Sequence, residues 1–444
     1  MPIKKLFIGD YLSFGNQRRF ILYSFLMMLA INAIGMEDSS YVTELKGSAK
    51  AIPKSFFGMQ IHRADTTTAW PVVKFGTWRL MDTYVVWFNL EPEKGKWDFR
   101  RLDRLVEMAE KNKVEVLLPL GMTPAWASSR PTESSAYGPG HAAEPASMDD
   151  WRNYIRTVAQ RYKGRIRYYE VWNEPNLHHF FTGDMAKMVE MTRIAYEEFK
   201  KVDSGIQIVS PSATGNSSKY VKWLDDFLIS GGGKYVDIIA YHLYVDTKPE
   251  EMLEIIREVR QVMKMNKVDD KLLWNTESGW RIENGDGSPD VPAFNYWKKL
   301  DHSNAGPYIV RSHVIAWAAG VERYCWYSWD HGMLGFIEPT TKVMKQHVVN
   351  AYAKTIKWLQ GTVVKGCNKT GMIWSCALTD QKGRNAWLVW SEEEKASSWN
   401  IPKDWNVTES ESLNGSMYAV DMNRQTTLLI NQSPLLLRAR TSAR

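Results

Sequence analysis

The chain is poor in cysteine: 444 residues contain three, Cys325, Cys367 and Cys376. No Cys-x-x-Cys spacing occurs, which excludes a zinc ribbon, and the odd number leaves at least one thiol unbridged within the chain. Cys367 and Cys376 flank a turn at Asn368–Gly371. A simple hairpin there sets Cys367 opposite about Met372 and Cys376 opposite about Val363, so the two are not expected to meet. Charge of one sign is also lacking. Basic residues number 56 and acidic ones 50, the +6 excess is dispersed, and nucleic-acid binding is not implied. No glycine-rich phosphate loop follows the first apolar run, which argues against a doubly wound nucleotide fold. Glycine, at 29 residues, is too sparse for a collagen repeat, and 44% hydrophobic content excludes whole-chain disorder.

Long apolar runs are absent with one exception. Phe20 to Ile34 is nearly all apolar and follows Lys4, Lys5, Arg18 and Arg19, and Ala33-Ile34-Gly35 supplies small residues. This is a secretory signal pattern. The run is shorter than the roughly 20 residues of a membrane span. Residues 1–35 are therefore read as a signal peptide, with an uncleaved anchor at residues 20–35 as the alternative. Residues 36–51 read as an extended leader. Internal repeats and low-complexity tracts are absent.

What is abundant is aromatic: 20 Trp, 20 Tyr and 15 Phe. Indole faces stack on the C–H faces of sugars and also fill cores, so carbohydrate is a first functional reading. From about residue 55, eight short apolar runs alternate with amphipathic segments. The runs are Phe56–His62, Gly76–Trp87, Val114–Gly121, Ile166–Trp172, Ile206–Ser210, Val236–Tyr244, Leu272–Thr276 and Val321–Trp329. Asp98 opens one helix, with Leu102, Leu105, Val106 and Ala109 on one face, and Asp149 caps another. Further helices are expected near 184–202, 217–230, 249–266, 305–319 and 341–359, with a weaker candidate at 66–75. Eight strand–helix units imply an α/β protein, a (β/α)8 TIM barrel over 52–359. After residue 360 helical periodicity stops, and short strand-like runs with turns at Lys382-Gly383 and Asn414-Gly415 predict a C-terminal β-sandwich over 360–444.

In such a barrel chemistry sits where strands end. The fourth run ends in Tyr169-Glu170-Val171-Trp172-Asn173-Glu174-Pro175-Asn176 and the seventh in Asn275-Thr276-Glu277-Ser278-Gly279-Trp280. Two facing carboxyls are what glycosidic cleavage needs, one to protonate the leaving oxygen and one to attack the anomeric carbon or activate water. Trp172-Asn173-Glu174-Pro175-Asn176-Leu177 resembles the acid/base signature of clan A glycoside hydrolases. It is closest in wording to family 39, which includes β-xylosidases, α-L-iduronidases and bacterial exopolysaccharide glycosidases. The resemblance implies a barrel with an accompanying β-sandwich, retention of anomeric configuration, Glu174 as acid/base and Glu277 as nucleophile. It further implies that Asn173 binds the hydroxyl beside the anomeric carbon, that Arg79 lies near the nucleophile and that His242 and Tyr244 form the sixth-strand His-x-Tyr. Trp329 would floor the sugar subsite.

After the seventh strand the wording departs from the xylosidase form. Glu277-Ser278-Gly279-Trp280 is closer to endo-acting relatives, which favours an exopolysaccharide hydrolase or a family 5 type glucanase over an exo-β-xylosidase. The Asn at 176, where an iduronidase would carry Asp, weakly opposes an acidic sugar. His62 and Trp126 are candidate sugar contacts, and Trp280, Trp297 and His331 are placed on loops that extend the cleft. Residues 128–148 are expected to form a loop over its mouth. His178-His179 resembles a metal pair only superficially, because adjacent side chains point apart. No metal and no cofactor is expected. The expected partner is a polysaccharide or oligosaccharide. The alternatives are a transglycosylase using the same residues and a non-catalytic carbohydrate-binding protein on the same fold. Asn-x-Ser/Thr triplets at Asn216, Asn368, Asn406, Asn414 and Asn431 are glycosylation acceptors only in a host with that machinery.

Overall fold

The computed structural model describes residues 43–289, 297–424 and 426–440. The expected signal peptide lies outside the described residues, as do residues 36–42 of the leader. No helix among the described residues is long and apolar enough to cross a membrane.

Eight parallel strands follow one another in chain order: β1 (Phe57–Met59), β2 (Thr77–Arg79), β3 (Glu115–Leu120), β4 (Tyr168–Val171), β5 (Gln207–Val209), β6 (Ile238–His242), β7 (Leu272–Ser278) and β8 (Val321–Trp326). Each pairs with its sequence neighbours and β8 pairs back onto β1, closing the barrel. At that seam a Cβ on Gly58 would lie 2.4 Å from Cys325 Sγ, so the close approach requires glycine. Among the described residues seven helices of three turns or more wrap the outside: α1 (Arg100–Lys111), α2 (Met148–Arg161), α3 (Met185–Val202), α4 (Ser218–Ile229), α5 (Met252–Met265), α6 (His302–Ala318) and α7 (Gln346–Leu359).

The first connection has no helix. Residues 66–75, a helix candidate, are turns and bends. Three β-branched threonines and Pro71 disfavour a helix there, and Thr68 Oγ1 donates instead to Asp330 Oδ2 at 2.7 Å. At α2 the cap is Ser147, whose side chain accepts from the Asp149 amide. Asp149 itself sits in the first turn, where a negative charge suits the helix dipole.

Strand alternation sorts the core into two layers. Leu117, Tyr168, Val209, Ile238, Ala240 and Trp274 form one cluster inside the barrel. Their neighbours Leu118, Tyr169, Ile208, Ile239 and Leu273 belong to the outer layer beneath the helices. Arg323 lies 3.9 Å over the Trp274 ring and 4.5 Å over Tyr168, and its guanidinium donates to Glu115, so a cation closes the barrel floor. With side chains alternating at a period of two, residues 79, 170, 242 and 276 point inward one layer further up.

The C-terminal part is an antiparallel sheet of Val363–Thr370, Ile373–Thr379, Asn385–Ser391, Leu435–Ala439, Val407–Ser412 and Met417–Ala419, joined at its other edge by Thr43–Leu45. The expected leader thus contributes a strand, with Thr43 opposite Lys369 and Leu45 opposite Cys367. A two-stranded ribbon, Ser397–Asn400 with Thr427–Ile430, covers one face around Val389, Ile401, Val407 and Leu437. The other face packs on the barrel, where Trp390 Nε1 donates to Glu250, itself paired with Arg311.

Cys367 and Cys376 are directly opposite each other and form a disulfide. The turn is Gly371-Met372, with Gly371 in the left-handed region at φ 55°, rather than Asn368–Gly371. Asn368 to Thr370 stay in the strand, which moves the register and brings the thiols together. The closed loop is short, and the entropic account of such a bridge gives about 2.6 kcal/mol. A Cys367→Ser/Cys376→Ser protein is expected to unfold at lower denaturant by that amount. An unchanged midpoint would mean that the sheet register alone holds this hairpin. Cys325 is free and buried, and burial pushes its thiol up to about 12.

Candidate active site

The inward layer above the apolar floor is polar. Arg79, at the end of β2, is fully buried. Its Nε donates to Glu170 Oε2 at 2.6 Å, Nη1 to Glu277 Oε2 at 2.6 Å and Nη2 to Asn173 Oδ1 at 2.7 Å. The remaining Glu170 oxygen accepts from Thr276 Oγ1 at 2.6 Å. Burial works against the guanidinium charge, but Glu170 and Glu277 outweigh it and keep Arg79 protonated. One cation thus braces strands β2, β4 and β7 at the level where the two motif glutamates emerge.

Glu174 leaves β4 through an unusual backbone. Trp172 and Glu174 both have left-handed φ values, 65° and 46°. Such conformations cost of order 1–3 kcal/mol each and persist where surroundings over-determine them. Here the Glu174 amide donates to Ser212 O at 2.9 Å. Asn176 Nδ2 donates to Thr214 O while its Oδ1 accepts from the Thr214 amide. A carboxylate at 176 could not make both bonds. Asn176 is therefore a clamp between two loops, and the reading of its identity as a mark of sugar charge lapses.

The Glu174 carboxyl is hydrogen-bonded through Oε1 to His242 Nδ1 at 2.8 Å. Burial raises Glu174 to about 7 and lowers His242 to about 4, so the imidazole is neutral at neutral pH. Glu277 has firmer ties. Tyr244 donates to Oε1 at 2.8 Å, opposite the Arg79 bond to Oε2, and Gln60 Nε2 reaches Oε2 at 3.4 Å. Burial raises Glu277 too. With His242 neutral, Arg79 is the charge that opposes the rise. A carboxylate oxygen of Glu174 and one of Glu277 lie within 4.8 Å of each other and of a His242 ring nitrogen. So close an approach of two oxygens is on the side of the roughly 5–5.5 Å carboxyl separation of retaining glycosidases rather than the 6.5–9.5 Å that leaves room for a water in inverting ones.

A cleft of about 480 Å³ opens over this pair. Asn173, Glu174, Tyr244 and Glu277 line it, with Trp297 and His331 from the late loops. Trp297 tilts over Tyr244 with ring centroids 5.2 Å apart. Arg79 and His242 lie beneath, acting on the glutamates rather than on the cleft surface. The loop expected at 128–148 contributes Tyr137, and His179 also faces the cleft.

Four expected sugar contacts fall elsewhere. Trp329 is buried against Phe336 beyond the end of β8. The aromatic that β8 sends into the cleft is Tyr327. Trp126 is half-buried in a separate cluster, with Nε1 donating to Glu91 O and its ring edge-on to Trp87. Trp280 is enclosed by Tyr308 and Trp326. His62 sits behind the cleft wall, its ring 5.0 Å from Tyr327 and its amide bonded to Asp330. In each case packing of a large ring won over display. The residues that the sequence reading passed over are Glu170, Asp82, Tyr137 and Tyr327. Glu170 was legible, being in phase with inward-facing Tyr168. Asp82 was hidden because Gly76–Trp87 reads as one strand, whereas β2 ends at Arg79.

Residues 50–277 match the family described as Glycosyl hydrolases family 39, half of the chain, and the match ends on Glu277. The chain belongs to that family. A β-xylosidase of Caldicellulosiruptor saccharolyticus is 26% identical over 193 residues, 42% of this chain and 38% of that enzyme. The similarity thus spans well under half of the curated relative's length. Among solved structures, a family 39 glycoside hydrolase from Bacteroides cellulosilyticus WH2 superposes with a TM-score of 0.66 at 17% identity, covering 87% of this chain and 81% of that one. A family 39 β-xylosidase from Caulobacter crescentus gives 0.61 at 16% identity, covering 89% and 98%. At these identities the structures speak for a shared fold, barrel and sheet domain together.

Proposed function

We propose that this family 39 chain is an exported, retaining β-glycosidase that cuts within a polysaccharide or oligosaccharide. The observation that carries this reading is the pair of carboxyls, each with an oxygen within 4.8 Å of the other's, and their unequal ties. Glu277, fixed between Arg79 and Tyr244, attacks the anomeric carbon as Glu174 gives its proton to the departing glycosidic oxygen. Glu174, now ionised, then takes a proton from the water that displaces Glu277 and restores the free enzyme. Asn173, on the cleft wall with its Oδ1 anchored to Arg79, presents its amide nitrogen toward the neighbouring sugar hydroxyl.

The cleft supports internal cutting. Both glutamates line it together with His331 and Met333 from after β8 and Asn216 and Tyr220 from after β5. The signal-like N-terminus and the Cys367–Cys376 bridge support export, since such bridges persist in oxidising compartments. A second reading, an exo-β-xylosidase, is favoured by the activity named for the curated relative.

The test is hydrolysis of aryl β-glycosides and soluble β-linked polysaccharides, with products sized by mass spectrometry. Oligosaccharides released from a polymer, with aryl monosides untouched, support internal cutting. Xylose released from aryl xylosides returns the chain to the exo reading. The pH profile gives a separate check. A general acid works protonated, so kcat/KM should fall as pH rises through about 7, where Glu174 of the free enzyme ionises. In Glu174→Gln that alkaline limb should vanish along with most of the rate. A wild-type profile flat to pH 9 would contradict the acid assignment.

A further inference from the structure

We infer that Asp82, pinned between Tyr137 and Tyr327, is a specificity-determining residue that makes the cleft select a non-anionic sugar, one presenting a hydroxyl or ammonium donor, and reject a uronic acid. This inference rests on the glycosidase reading above and deepens it. Asp82 stands three residues beyond β2 in the left-handed region, φ 57°, a conformation that short polar residues tolerate better than most. Tyr137 donates to its Oδ1 at 2.8 Å and Tyr327 to its Oδ2 at 2.7 Å. These tyrosines arrive from the β3–β4 connection and the end of β8, so the carboxylate is gripped from both sides. Asp82 and both tyrosines line the cleft that holds Glu174 and Glu277. Each carboxylate oxygen can accept about two hydrogen bonds, and the tyrosines use one apiece, leaving acceptor capacity for a sugar donor.

The charge around it has one sign. Among the described residues lining the cleft, the carboxyl-bearing ones are Asp82, Glu174, Asp246 and Glu277, and none is lysine or arginine. Residues 290–296, outside the described set, contain no lysine or arginine in their sequence. The nearest guanidinium, Arg79, is fully buried with bonds to Glu170, Glu277 and Asn173. A sugar carboxylate placed here would face Asp82 and the nucleophile with no lysine or arginine among the described lining residues to pair it, a repulsive element against one class of ligand. A neutral sugar hydroxyl or an ammonium would meet an acceptor already held in place.

The experiment compares β-linked oligosaccharides of equal length in neutral, amino and uronic forms. Wild-type protein is assayed for kcat and KM, and Glu277→Gln protein for calorimetric binding. We expect the uronic form to lose at least 100-fold in kcat/KM and in affinity relative to the best of the other two. Asp82→Asn should narrow that gap at least tenfold, mainly through KM. Tyr327→Phe, which keeps the charge, should weaken all three forms while leaving the gap. Uronic and neutral forms handled within tenfold by wild type would overturn the inference, as would an unchanged gap in Asp82→Asn. Should Asp82→Asn fail to give a cooperative melt, the wild-type ratio and Tyr327→Phe still decide. Selective binding without turnover would sink the glycosidase reading and sustain this one, and absence of binding by every form would sink both.

Discussion

Replacing Glu277 by glutamine is expected to lower turnover by about 10⁴-fold or more while the protein remains folded. The amide has the same shape and accepts the Arg79 bond through its oxygen, but it cannot form the glycosyl ester. Stability should change little, for a reason visible in the charge balance. Arg79 is buried against two carboxylates, Glu170 and Glu277. Losing one leaves a matched pair rather than an orphaned cation. Glu170→Ala is the instructive contrast, since it removes the partners of both Arg79 Nε and Thr276 Oγ1 and leaves no side chain in their place. Its cost should appear in melting temperature as well as rate. The check is a kcat measurement beside a thermal melt. A folded Glu277→Gln protein with near wild-type kcat would mean that another group attacks the anomeric carbon.

Glu174→Ala should lose about 10²–10⁴-fold with natural leaving groups, the usual range for general acid–base catalysis. With an activated aryl substrate the first step no longer needs a proton, and the glycosyl-enzyme accumulates. Azide, small and anionic, should then enter the space vacated by the side chain, restore turnover and leave as a β-glycosyl azide. An α-azide would contradict attack from the face opposite Glu277. The same residue carries a stability signature. Folding raises Glu174 from about 4.5 to about 7, so the native chain binds this proton more tightly than the unfolded one. Stability from this group is greatest in acid and is lost as pH rises from about 4.5 through 7, by up to about 3 kcal/mol. Glu174→Gln removes that loss. Its melting temperature should exceed wild type at pH 8 and converge with it near pH 4, and a gap that persisted at pH 4 would have another cause.

The barrel was legible because its signal is repeated eight times, each apolar run too short for a helix and all but the first followed by one. Both glutamates were legible because strand ends are where barrel chemistry sits. The aromatic contacts were not. Trp126, Trp280 and Trp329 all follow strands, and the sequence does not tell a ring that faces a cleft from one that fills the rim. That choice is made by partners far away in the chain, such as Phe336 for Trp329 and Tyr308 for Trp280. Asp82 illustrates the converse. It looked like a strand residue, and its meaning comes from Tyr137 and Tyr327, 55 and 245 residues away. The disulfide was missed by a turn misplaced by a few residues, because register is absolute in a hairpin and a small slip separates the two thiols.

The strand Thr43–Leu45 has a practical side. It and the Ala51 bridge to Val363 run along one edge of the C-terminal sheet, as do the amides of Ser48 and Ile52 bonded to Val364 O and Thr362 O. A recombinant start codon placed at residue 50, where the family match begins, would keep every barrel strand and both glutamates. It would also strip most of that cover and leave Val363–Thr370 with an open row of backbone donors and acceptors. Such an edge recruits strands from other molecules. A shortened protein of this kind should come off a sizing column as aggregate, and a start upstream of residue 43 should not.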